Sequence, residues 1–248
     1  MNKNKIKFIK SLNQKKYRKK EGLFIVEGEK DVLEVLRSDF EIHSLCYTDK
    51  FEPYLEEFPE FQKNLLEPTS AKELAKAGSF VTNDSALAIV KDRPEKEVPN
   101  PSSLTLILED VRDPGNLGTI MRIADWYQVT DIICSTKTAE WQNPKVISAS
   151  KGSFTRVNLY YTDICEYLNK ITKETMVIGT FMYGKSIHEI PFQQPSVVVM
   201  GNESSGISDE VSELIKTRVT IPRYGHAESL NVGVATAIVC DNFRRQVK

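Results

Sequence analysis

Leu104-Thr105-Leu106-Ile107-Leu108-Glu109-Asp110-Val111-Arg112-Asp113-Pro114-Gly115-Asn116-Leu117-Gly118-Thr119-Ile120-Met121-Arg122 is a near-continuous apolar run, a polar loop with Pro-Gly, and then a helical pattern. A strand without polar alternation is what a parallel sheet buries on both faces. Leu117, Ile120, Met121 and Ala124 recur at helical spacing and form a core-facing stripe. Strand, loop and helix in immediate succession are the unit of an α/β domain, which tends to place ligands where its strands end. In this loop Asn116 reads either as a turn or cap residue or as a ligand group. Gly118 and Arg122 lie four apart, on one face away from the apolar stripe, so the missing side chain leaves space beside the guanidinium. Arg122 is either the ion-pair partner of Asp125 or a cation free for a ligand.

The same alternation continues to the end of the chain. Strands are expected at 131–135, 155–159, 176–180, 196–200 and 218–221. Helices are expected at 117–127, 164–171 and 208–216, with a last one from Asn231. Two more strand ends carry unusual loops. Gly201-Asn202-Glu203-Ser204-Ser205-Gly206 follows an apolar strand, with Ser208 placed to cap the next helix. Beyond Ile221-Pro222, Glu228, Ser229 and Asn231 stand at the mouth of an uncharged, small-residue stretch from Asn231 to Cys240. Such a stretch belongs in a domain interior or an interface. Capping explains one of those three polar groups, and the set reads either as capping alone or as a ligand site. Three such loops in one α/β unit converge on one edge of the sheet.

Upstream, strands are expected at 23–26, 42–47 and 86–90, and helices at 29–37, 53–58 and 70–77, a smaller α/β unit. Prolines 94, 99 and 101 among charges and serines mark an exposed linker. The expected division is a first domain over 1–95, a linker over 96–103 and a second domain over 104–248. The first twenty residues hold Lys3, Lys5, Lys7, Lys10, Lys15, Lys16, Arg18, Lys19 and Lys20 and no acid. Arms of this kind meet phosphate backbones, or else are merely solvated.

The chain has 248 residues, 33 Lys plus Arg against 34 Asp plus Glu, and 40% hydrophobic residues, enough for a sizeable core. Cys46, Cys134, Cys165 and Cys240 form no CxxC pair, which argues against a zinc site or disulfide framework and for a reducing compartment. No signal peptide or membrane-length apolar run is present, so a cytoplasmic protein without membrane attachment is expected. His43, His188 and His226 are scattered, and no metal is expected. GxGxxG after the first strand and GxxxxGK[ST] are both missing, which removes the common dinucleotide and nucleoside-triphosphate readings.

Taken together the three loops resemble the signatures of the SpoU family of RNA 2′-O-ribose methyltransferases, in the SPOUT class. The matching residues are Asp113 to Arg122, then Gly201-Asn202-Glu203 with Gly206-Ile207, then Ile221-Pro222 with Glu228-Ser229-Leu230-Asn231-Val232. Thr119 stands where many members have Ala. The run from Lys15 to Gly28 looks like the start of the family's ribosomal-protein-like α/β/α RNA-binding domain. The resemblance implies an α/β catalytic domain with a mainly parallel sheet and a trefoil knot at its C-terminal end. It further implies a homodimer and S-adenosylmethionine as methyl donor. By resemblance, Asn116, Arg122, Glu203, Ser229 and Asn231 are the catalytic set. Thr180, Gly201, Asn202, Ile221, Ser229 and Leu230 would hold the donor, and Lys15, Lys16, Arg18, Lys19 and Lys20 the RNA. Ribosomal RNA is the expected substrate. Methylation of transfer RNA, or a non-catalytic RNA-binding assembly factor, are the alternatives.

Overall fold

In a computed structural model, which describes residues 1–94 and 96–247, the chain divides into two compact units. One comprises Met1–Pro94 with Gln142–Thr155, the other Glu95–Trp141 with Arg156–Lys248.

The first unit begins with helices rather than an extended arm: α1 (Lys3–Ser11) and α2 (Lys15–Glu21). Ile6 and Ile9 on α1 reach the core, where they join Leu23, Ile25, Leu74, Leu87 and Ile89. The apolar positions at i and i+3 make a helix of what composition presents as a charged tail. Next come β1 (Leu23–Glu27), α3 (Glu29–Leu36), β2 (Ile42–Tyr47), a short β3 (Leu66–Pro68), α4 (Ala71–Ala77) and β4 (Ala86–Lys91). The sheet order is β1-β4-β2-β3. A capping box between Ser70 and Glu73 starts α4.

Residues 142–155 lie between two strands of the second unit in sequence, yet pack with the first. They contain a helix that periodicity leaves unmarked, α6 by chain order (Pro144–Ser150), which packs against β1. Val146 and Ile147 are buried, and the Phe154 ring meets Phe24 and Phe40 at 6.4 and 6.0 Å between centroids. After the opening proline its only large apolar residues, Val146 and Ile147, are adjacent and mark no helical stripe; the aromatic cluster holds the segment.

One buried group in this unit carries a pH prediction. Asp31 in α3 is buried, and its Oδ1 has no hydrogen-bond partner. Burial pushes its carboxyl up to about 6, against the pull of Lys151 and Lys30 and with the push of Glu34. Because the folded value is the higher one, its favourable contribution is complete below about 4 and is lost as pH rises through about 6. Asp31→Asn should therefore gain roughly 2 kcal/mol over the parent at pH 7, and the gain should vanish by pH 4 in denaturant titrations.

The second unit runs β5 (Leu104–Leu108), α5 (Pro114–Trp126), β6 (Asp131–Cys134), β7 (Asn158–Tyr161), α7 (Ile164–Lys170), β8 (Met176–Ser186), β9 (Ser196–Met200), α8 (Asp209–Glu213), β10 (Thr217–Thr220) and α9 (Val232–Gln246). The six strands are all parallel, in the order β10-β8-β9-β5-β6-β7. Every residue of β5 and β9 is buried, as an apolar run without alternation requires. Ile107, Ile133, Val197 and Val199 meet Ile164, Tyr167, Leu168, Val211 and Ile215 in one core cluster. Several boundaries move from their expected places. α5 starts at Pro114, Thr155 closes a 3-10 turn so that β7 starts only at Asn158, α8 stops at Glu213, and β8 continues to Ser186 because β10 pairs with its far end.

Candidate active site

From β5 the chain builds the sheet outward in both directions, to β6 and β7 on one side and to β9, β8 and β10 on the other. The loops after the adjacent strands β5 and β9 therefore lead to opposite sides and leave a crevice between them. Two of the three sequence motifs start there. The third arrives at the N-terminus of α9, which packs on α5. A Cβ added at Gly233 would stand 3.2 Å from the Thr119 methyl, so the small residues opening α9 are what let the two helices close.

A directed chain of hydrogen bonds joins the three motifs. Asp113 caps α5 by accepting from the Asn116 N–H at 2.8 Å, which leaves the Asn116 side chain free of that task. Asn231 caps α9, its Oδ1 accepting from the N–H groups of Gly233 and Val234 at 2.9 and 3.4 Å. Asn231 Nδ2 then donates to Asn116 Oδ1 at 2.8 Å, and Asn116 Nδ2 donates to Glu203 Oε1 at 2.7 Å. Each amide thus has its orientation set by its neighbour. The polarity of the α9 N-terminus is passed on along the two amides to Glu203, whose Oε1 is the last acceptor.

The loop holding Glu203 is braced by residues that pattern-reading passes over. Asn202 Nδ2 donates to the Asp110 carbonyl at 2.7 Å, while its Oδ1 accepts from the N–H groups of Ser204 and Ser205. The N–H and hydroxyl of Ser208 both donate to the buried carboxylate of Glu109, at 3.1 and 2.6 Å. A Cβ at Gly201 would lie 2.4 Å from the Gly206 carbonyl carbon, so backbone runs directly against backbone here. The only sequence signal for Glu109 and Asp110 is their position directly after a buried strand.

The remaining expected residues do not join this chain of bonds. Arg122 is exposed on α5, about 9 Å of helix rise beyond Asn116. Its expected partner Asp125 instead receives Arg156, Nε at 3.0 Å and Nη2 at 2.9 Å. Arg122 has no hydrogen bond or ion pair among the described residues. Ser229 and Leu230 are exposed ahead of α9, and Ile221 is half-buried after β10. Thr180 donates to the Val199 carbonyl at 3.1 Å, just past the last β8–β9 pair, Gly179 with Val199. β10, β8 and β9 are neighbours in the sheet, and the segments that follow β9 and β10 carry the narrow Gly201–Gly206 turn and the half-exposed Leu230. Main-chain groups and an apolar side chain are the kinds of lining a nucleoside-bearing ligand such as S-adenosylmethionine takes. Among the described residues no group of three His, Cys, Asp or Glu gathers to hold a metal, and no helix is long and apolar enough to cross a membrane.

In the first unit, Lys15, Lys16, Lys19 and Lys20 are exposed on α2, but Arg18 is buried. Its Nη1 donates to the carbonyls of Leu12 and Asn13 at 3.1 and 3.0 Å, which ties the turn between α1 and α2. A guanidinium committed inward is not available to a phosphate, which removes Arg18 from the expected RNA contacts. Arg18→Ala should cost about 1–3 kcal/mol and lower Tm, since it strands two carbonyls. Alanine at all four lysines should leave Tm unchanged and weaken RNA binding. Thermal melts and a binding titration would separate the two roles.

Comparison with known proteins agrees with this architecture. Residues 103–241 match the SpoU rRNA Methylase family model and residues 3–88 an MRM3-like substrate binding domain. The chain is 29% identical over 242 residues to the 23S rRNA (guanosine(2553)-2′-O)-methyltransferase RlmP of Bacillus subtilis, covering 97% of this chain and 96% of that one. Among solved structures, a TrmH-family protein from Porphyromonas gingivalis superposes with a TM-score of 0.87 at 34% identity, over 99% of both chains. The AdoMet-bound rRNA methyltransferase from Sinorhizobium meliloti superposes at 0.86 with 26% identity, over 98% of this chain and 95% of that one.

Proposed function

The chain belongs to the SpoU rRNA methylase family, and on that footing we propose that its substrate is ribosomal rather than transfer RNA. The protein is an S-adenosylmethionine-dependent RNA ribose 2′-O-methyltransferase. The preference for ribosomal RNA rests on one observation: the likeness to RlmP runs through the substrate-binding unit as well as the catalytic one.

S-adenosylmethionine, when bound, supplies a methyl group on a cationic sulfonium. The protein's task is to make a ribose 2′-hydroxyl nucleophilic and to aim it. Oxygen becomes competent as its proton leaves or as its developing charge is met by a fixed cation. Arg122 is that cation; a guanidinium stays protonated, so it stabilises the alkoxide or a neighbouring phosphate rather than taking the proton. Glu203, with Oε1 held by Asn116 and Oε2 at 3.5 Å from Asn202 Nδ2, orients the ribose or Arg122. Asn231 and Ser229 organise the third loop, and the main chain of Gly201, Asn202, Ile221 and Leu230 together with Thr180 holds the donor. Lys15, Lys16, Lys19 and Lys20 bind the RNA backbone.

The same reading includes a homodimer in the cytoplasm, with a knotted C-terminal segment. Trp126 is 83% exposed, and Val234 and Leu230 about half exposed; apolar groups of that size ask for a partner surface. For the knot, what supports the reading is the chain path from the outermost strand β10 back to α5. The decisive experiment maps ribose methylation in RNA from cells with and without the protein. A position lost from ribosomal RNA is expected, and one lost only from transfer RNA would overturn the substrate assignment.

A further inference from the structure

Four side chains outside the methyl-transfer machinery meet where β5 and β6 end. Asp110 adopts the left-handed conformation, φ 57°, uncommon for a non-glycine residue although Asp takes it more readily than most. Its N–H donates to Ser135 Oγ at 2.9 Å, and the Ser135 hydroxyl donates back to Asp110 Oδ1 at 2.8 Å. Arg112 Nη2 donates to Asp110 Oδ2 at 2.8 Å, and Lys137 Nζ stands 3.8 Å from the same oxygen. Burial pushes the Asp110 carboxyl up, but the bonds from Arg112 and Ser135 and the charge of Lys137 outweigh it and hold it below the usual carboxylate range.

Two cations thus share one carboxylate, and the excess positive charge sits in solvent: Arg112 is 63% exposed and Lys137 72%. Stability does not account for the arrangement, because exposed pairs of this kind contribute about 0–1 kcal/mol. What it does achieve is aim. The two cations come from different loops, and the Asp110 carbonyl is the acceptor for Asn202, the residue next to Glu203. The pair therefore stands at fixed register to the carboxylate that closes the Asn231–Asn116–Glu203 chain.

We propose that Arg112 and Lys137, oriented by Asp110, form a phosphate clamp that grips the RNA backbone beside the target ribose. This inference rests on the reading of the protein as an RNA methyltransferase. A phosphodiester suits the pair: Arg offers a planar fork of donors, and Lys a second, rotatable point charge. The carboxylate of the methyl donor is the other anion of the reaction, and the experiment distinguishes the two.

Full-length Arg112→Ala, Lys137→Ala, Lys137→Glu and the double alanine variant would be titrated with ribosomal RNA purified from source cells lacking the protein, at about 50 and about 200 mM salt. Both side chains are exposed, so the variants should melt as the parent does. Each alanine is expected to weaken RNA binding about 3- to 10-fold at the lower salt and to reduce the slope of log affinity against log salt by about one. Lys137→Glu should weaken binding further, while calorimetry with S-adenosylmethionine should give the parent affinity. RNA affinity and salt slope equal to the parent's would overturn the clamp, as would a loss confined to S-adenosylmethionine. A parent protein that neither binds nor methylates ribosomal RNA would instead overturn the reading beneath it.

Discussion

Arg122→Ala is expected to lower the single-turnover rate of methyl transfer by about 10²–10³, the usual loss when one fixed stabiliser of transition-state charge is removed. The argument begins with Asp125. The spacing on α5 allows an Arg122–Asp125 pair, but Asp125 is occupied by Arg156. The Arg122 charge is therefore not neutralised within the described residues, and it is carried by a helix whose first turn holds Asn116. Since the side chain is exposed, its loss should leave Tm and S-adenosylmethionine affinity near parental values. Lysine at 122 retains a charge but not the planar fork, so it should recover part of the rate. Rapid-quench measurement with saturating RNA and methyl donor makes the comparison. An alanine variant that keeps the parental rate removes Arg122 from the chemistry.

Asn231→Asp is the second large effect, and it separates folding from catalysis. Aspartate is as good an N-cap as asparagine, and its charge is favourable at a helix N-terminus, so α9 should keep its start. The new carboxylate, however, faces Asn116 Oδ1, where the parent has a donor. If Asn116 turns its amide to satisfy residue 231, it presents Oδ1 to Glu203, and the conflict moves one bond along. One acceptor–acceptor contact is unavoidable in either state. The expected result is an unchanged or slightly higher Tm with turnover reduced about 10- to 100-fold, on the scale of a lost positioning contact. A variant with both parental Tm and parental turnover would show that the directed chain of amides does not matter to the reaction.

These expectations depend on different kinds of legibility. β5 and β9 could be read directly because strands buried on both faces leave unbroken apolar runs, and α5 because its stripe and Pro-Gly entrance are local. The three loops stood out by composition and by following strands. Helix α6 was not legible, since its two large apolar residues after the proline, Val146 and Ile147, are adjacent and mark no stripe, and its place beside β1 comes from the Phe24, Phe40 and Phe154 cluster, over a hundred residues apart in sequence at its widest. Arg18 misleads for the converse reason. Among nine cations of one run, only packing distinguishes the buried guanidinium that closes a turn from the lysines, none of which is buried.

By itself the sequence determined the α/β class, the alternation of strands and helices, and the residue types at each strand end, because these follow from periodicity and turn chemistry over short spans. Which groups meet was decided by tertiary structure alone. Asn116, Glu203 and Asn231 are separated by 87 and 28 residues and become one hydrogen-bonded line only when β9 pairs with β5 and α9 packs on α5. Hydrogen bonds are short and directional, so their partners depend on how distant segments are placed in space.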